Sequence, residues 1–193
     1  MPACWQVVWL VFACVLPAIL AATPQKAAAQ AMERATEISR QVKAAYLYKF
    51  ASYVEWPSGA FADATSPIII GVMGEDALAD ELALVVASRT VGGRPLSVRK
   101  VRRGDDTLGG IHMLFVGRLE RSRLVETFAT LKGRPILTVT DADDALALGS
   151  MVNFVATGDK LRFEVAVTTA EVSRLKISAL MLAAAHKVVK EPS

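Results

Sequence analysis

The chain has 193 residues, 53% of them hydrophobic, and 22 basic against 19 acidic side chains leave a formal charge of only +3 at pH 7. So small an excess excludes the electrostatic footprint of a nucleic-acid-binding protein, and the hydrophobic fraction excludes an intrinsically disordered chain. The two cysteines, Cys4 and Cys14, both lie near the N-terminus, which excludes a disulfide-stapled scaffold.

The stretch Trp5 to Leu20 is apolar apart from Gln6, and small residues follow it. Ala29-Gln30-Ala31 has the small-x-small form that a signal peptidase accepts. This predicts a signal peptide over residues 1–31, cleaved after Ala31, and a single domain over residues 32–193. The n-region holds no Lys or Arg and the apolar run approaches bilayer-spanning length, so a retained N-terminal anchor is the alternative. A lipid anchor on Cys14 fits less well, because bulky Phe12 stands where a small residue is wanted. Removal would take both cysteines and leave about 160 residues, a size at which a domain buries close to 70% of its unfolded-chain surface and needs no staple.

Tyr46, Phe50, Tyr53 and Val54 recur at i, i+4, i+7 and i+8, predicting a helix from about Glu33 to Glu55. Trp56-Pro57 ends it, since the residue before proline is driven out of the α region. Ile68 to Val72 is an unbroken apolar strand, the pattern of a strand covered on both faces. Gly74 turns the chain, and Asp76 is placed to N-cap a helix ending near Ala87, with Leu78, Leu82, Val85 and Val86 inward. Leu96 to Arg99 alternates and runs into Arg102-Arg103, which predicts an edge strand protected by charge.

Ile111 to Val116 reads as a buried strand. Arg121 to Leu131 reads as a helix with Leu124, Val125, Phe128 and Leu131 inward, stopped by Gly133 and Pro135. Ile136 to Val139 follows as another strand. Met151 to Ala156 and Leu161 to Val167 flank Thr157-Gly-Asp-Lys160 and predict an antiparallel hairpin. Thr168-x-x-Glu171 is a capping box that opens a last helix. Its stripe would run through Val172, Leu175, Ala179, Leu182, His186 and Val189, packed either between the sheet and the first helix or against a second copy. The expected fold is α/β: a mainly parallel sheet flanked by helices, with a C-terminal antiparallel hairpin and final helix.

Convergent chemistry is sparse. Glu75 and Asp76 follow one strand, and Asp141, Asp143 and Asp144 follow another. Because ligands of open α/β sheets bind beyond the carboxyl ends of strands, these five residues form a candidate ligand cleft. A Mg²⁺ site is the sharper reading and a solvated turn the plainer one. His112 and His186 sit among apolar neighbours and read as hydrogen-bonded core residues rather than ligands. No Gly-x-Ser-x-Gly elbow occurs, and neither Gly92-Gly93 nor Gly109-Gly110 joins a strand to a following helix as a phosphate cradle requires. Arg99, Lys100, Arg102 and Arg103 read as a charged edge, with an anionic ligand or acidic partner as the sharper option. No catalytic residue, metal or cofactor is expected.

Lys43-Ala-Ala-x-Leu-x-x-Phe50, closing on Glu55-Trp56-Pro57, resembles the opening of the YfiR family of bacterial periplasmic proteins. Pro67 to Gly74, Ile111-His112 to Gly117, Val152-Asn153-Phe154, Leu161 to Val165 and Arg174 to Ser178 resemble later segments of that family, in matching order. The resemblance implies a regulator and not an enzyme: a periplasmic repressor that binds the periplasmic part of an inner-membrane diguanylate cyclase and keeps cyclic-di-GMP low. It also implies sequestration by an outer-membrane lipoprotein, and homodimer formation. Lys43, Phe50, Glu55, Trp56, Pro57, His112, Asn153 and Phe154 would then serve structure or partner binding. The family's namesake carries disulfides. This chain has no cysteine beyond residue 14, so redox control is not implied. The rival classes are a periplasmic small-molecule sensor using the candidate cleft and, less favoured, a metal-dependent enzyme using its carboxylates.

Overall fold

The structure, a computed structural model, describes residues 24–190 apart from 103, 106, 107, 118 and 120. Residues 1–23 of the predicted export segment, with both cysteines, and Arg103 of the basic run lie outside the described residues. Contacts divide the chain into residues 1–34 and 35–193. The described part of the first unit is the start of helix α1 (Pro24–Tyr53), where Ala31 and Met32 are exposed. This helix begins earlier than its apolar stripe predicts, because the alanine-rich stretch before Glu33 is itself strongly helix-forming. None of the described helices is long and apolar enough to cross a membrane.

In the second unit, α1 ends at Tyr53, and Val54–Glu55 forms a two-residue strand, β1, ahead of the Trp56-Pro57 corner. Strand β2 (Ile68–Met73), helix α2 (Asp76–Val86), strands β3 (Thr90–Val91), β4 (Arg94–Val101) and β5 (Met113–Val116), helix α3 (Arg121–Leu131) and strand β6 (Leu137–Thr140) follow. The hairpin is β7 (Val152–Thr157) and β8 (Lys160–Ala166), and helix α4 (Val167–Val172), strand β9 (Lys176–Ile177), helix α5 (Ala179–Ala184) and strand β10 (Lys187–Val189) complete the chain. One sheet runs β10-β8-β7-β6-β5-β2-β4-β3. Strands β4, β2, β5, β6 and β7 are parallel, and β8 runs antiparallel to β7. The architecture is therefore the expected α/β one. Gly92 and Gly93, both at positive φ, make the two-residue turn between β3 and β4. Strand β3 pairs only with the first two residues of β4, so most of β4, with Arg99 and Lys100, is the sheet edge.

The period of two along β5 sorts the core onto two faces. Met113 and Phe115 join the larger cluster with Leu47 and Phe50 of α1 and Leu78 and Leu82 of α2. Leu114 and Val116 join the smaller one, covered by Leu124, Phe128 and Leu131 of α3. Val125, expected inward, is largely exposed. Gly71 faces the smaller cluster, where an added Cβ would lie 2.7 Å from Ile111 Cδ1 and 3.0 Å from Leu114 Cδ1.

The expected long last helix is broken. Arg174 adopts a left-handed φ of +60°. The Leu175 N–H bonds the Ala170 carbonyl and the Arg174 N–H bonds that of Glu171, a Schellman ending without glycine. Buried Leu175 supplies the apolar contact that accompanies such an ending, and β9 then pairs antiparallel with β1. Ser178, not Thr168, caps a following helix, its Oγ accepting the Met181 N–H. Helix α4 has Ala166 at its N-cap with no side-chain cap, so the predicted capping box does not form. His186 is exposed between α5 and β10 and is no core residue.

Candidate functional site

Between β2 and β5 the chain order reverses: β2 leads through α2 to β4 on one side, and β5 continues to β6 on the other. Such a reversal opens a crevice beyond the strand ends, the usual ligand position of an open α/β sheet. Gly74 and Gly117 close its floor. The Gly117 N–H bonds the Met73 carbonyl at 2.8 Å, and a Cβ on Gly117 would lie 3.2 Å from that same oxygen.

The crevice is filled from within. Lys43 lies on the buried stripe of α1 with Leu47 and Phe50, so its side chain reaches down onto the strand ends. Its Nζ donates to Asp141 Oδ2 at 2.8 Å and to Glu75 Oε2 at 3.3 Å, and it stands 5.6 Å from the centre of the Phe115 ring. Glu75 occupies the N-cap position of α2, yet its side chain makes no cap bond. It is committed to Lys43 instead. Asp76, expected as the cap, is the first helical residue and is exposed.

The five acidic residues of the predicted cleft thus separate. Asp141, Asp143 and Asp144 line a cleft of about 570 Å³ beyond the end of β6 and beside β7, and Glu75 and Asp76 do not. Asn153, Phe154 and Glu164 form its other wall. Asn153 is 4% exposed, and neither its Oδ1 nor Asp141 Oδ1 has a hydrogen-bond partner among the described residues. No three His, Cys, Asp or Glu side chains converge as metal ligands among the described residues.

The remaining motif residues pack. Phe50 lies 4.9 Å from Phe163 and 5.8 Å from Phe154 between ring centres, and Tyr46 stacks beside them, so the aromatic stripe of α1 seats on the hairpin. Glu55 is exposed and contributes its backbone to the pairing with Lys176. Trp56 Nε1 donates to the His112 carbonyl at 3.0 Å, and Pro57 starts a single 3₁₀ turn. His112 Nδ1 accepts the Ile69 N–H at 3.1 Å, which places the ring hydrogen on Nε2, 3.0 Å from the Ala60 carbonyl. Its ring stacks on Phe61, which in turn lies under Arg94. Burial, followed by the nearby Arg94 charge, outweighs the Ala60 bond and pushes the His112 pKa below its ordinary value. His112 is therefore a neutral structural pin, as its apolar neighbours predicted.

Residues 40–186 match the model of the family described as YfiR/HmsC-like. The chain belongs to the YfiR/HmsC-like family. No curated protein matches it. The matched span begins three residues before Lys43 and contains the Lys43 clamp, the His112 pin and the whole acceptor-lined wall. Membership in this family suggests a periplasmic regulator of a diguanylate cyclase rather than an enzyme.

Sequence reasoning placed Lys43 in a motif and missed its chemistry. The signal was there: a lysine on the buried stripe of a helix must find a carboxylate, and acidic residues follow two buried strands.

Proposed function

We propose that the protein is a periplasmic repressor that binds the periplasmic part of an inner-membrane diguanylate cyclase and lowers cyclic-di-GMP output. The family match over residues 40–186 carries this reading. The Lys43 clamp supports it, because it fills the crevice where an α/β enzyme would seat a substrate and ties helix, sheet and loops into one preformed body. Such a body acts by favouring the inactive state of its partner, and its effect is limited by its differential affinity for the two states. An outer-membrane lipoprotein that competes for the repressor would release the cyclase, and a homodimer would present two copies of the face. Export through a cleaved segment ending at Ala31 delivers the protein to that compartment. The test is cyclic-di-GMP in a deletion strain, before and after complementation. Raised nucleotide that complementation reverses supports repression, and an unchanged level refutes it.

A further inference from the structure

We propose that the cleft beyond β6 and beside β7 binds a small organic ammonium, held between Asp141 and Asn153 with its apolar body against Val155 and Leu146. Asn153, the second residue of β7, pairs in register with Thr140, the last of β6 and the residue before Asp141, so Asp141 and Asn153 lie on neighbouring strands where both line the cleft. Asp141 uses Oδ2 for Lys43 and leaves Oδ1 without a partner, and Asn153 Oδ1 is likewise unpartnered.

Two unpartnered acceptors lining one cleft select a donor, because a buried polar atom without a partner costs roughly 1–3 kcal/mol. An anion would meet the two unpartnered acceptor oxygens, and Asp143, Asp144 and Glu164 around the opening repel it further. A divalent cation would want three or more protein oxygens in a fixed array, which the described residues do not form. An ammonium needs only hydrogen-bond acceptors and an apolar wall. Val155 and Leu146 provide the wall, and about 570 Å³ is a usual size for a small-molecule site. Lys187, opposite Glu164 in the register of β8 and β10, is the cation lining the rim among the described residues. This inference is independent of the cyclase, so the repressor reading can fail while the cleft still binds.

The experiment follows the Asn153 side-chain amide by NMR as benzylamine, protonated at pH 7, is titrated into the purified protein. Benzyl alcohol serves as the neutral isostere and an acetylated Ala-Lys-Ala amide as a side-chain ammonium on a peptide. Saturable shifts at Asn153 with benzylamine, at least tenfold tighter than with benzyl alcohol and tighter than with the peptide, support the proposal. Equal binding of amine and alcohol, no saturable shift, or shifts confined to Asp143 and Asp144 overturn it. Tighter binding of the peptide also overturns it, by moving the occupant to a protein side chain. Asn153→Leu removes one acceptor at similar volume and should weaken benzylamine binding by about tenfold. The comparison of amine with alcohol on the unaltered protein needs no variant to fold.

Discussion

Replacing Lys43 by Met keeps most of the aliphatic stem over Phe115 and removes only the charge. The side chains of Lys43, Asp141 and Glu75 are 10%, 17% and 28% exposed. Deleting one partner of a fully buried pair costs roughly 3–5 kcal/mol, because the remaining charge is stranded, whereas exposed pairs contribute roughly 0–1 kcal/mol. The Asp141 contact lies near the first limit and the Glu75 contact between the two. A loss of about 2–4 kcal/mol follows. With a urea m-value of about 2 kcal/mol/M for a domain of this size, the unfolding midpoint should fall by about 1–2 M. Adding Asp141→Asn to Lys43→Met should recover part of the loss, since it removes one stranded charge. A coupling of about 1–3 kcal/mol in the double-mutant cycle would confirm direct contact. A midpoint shift below about 0.3 M, or strictly additive single variants, would refute the clamp.

Three further outcomes follow from other parts of the fold. Since the folded His112 pKa lies below its ordinary 6.5, stability should be level above that pH and fall as pH drops through 6.5 towards the lowered native value, where protonation abolishes the Ile69 bond. His112→Phe should flatten that window in denaturation measured across pH and cost about 1–3 kcal/mol at neutral pH for the unpaired Ile69 N–H. Phe50→Ala should cost about 3–5 kcal/mol by emptying the seat of α1 on the hairpin, measured by urea unfolding. Gly71→Ala should cost about 1–3 kcal/mol in the same assay, since its Cβ meets Ile111, Leu114 and Val101 at 3.1 Å or less.

Most of the sheet was legible because its strands are short, apolar and punctuated. Gly74, Gly92-Gly93 and Gly133 each mark a turn where the chain does turn, and all four have positive φ. The region after Val167 was not legible. A helical stripe from Val172 to Val189 exists in the residues, but Arg174 ends α4 in a conformation usually reserved for glycine. What holds it there is distant: β9 pairs with β1, and the Ser178 N–H bonds the Tyr53 carbonyl. Local periodicity carries no trace of either contact. The candidate site was half legible for a related reason. Strand order put Asp141 and Glu75 at strand ends, but only the fold shows that one lysine from α1 takes both and that Asn153 completes a separate cleft.

The measurement closest to the central claim is capture of membrane proteins from the native host on the immobilised protein, identified by mass spectrometry. An inner-membrane diguanylate cyclase recovered through its periplasmic part, and displaced by soluble protein in excess, is the result expected of a repressor. A reproducible set of captured proteins without any cyclase would contradict it.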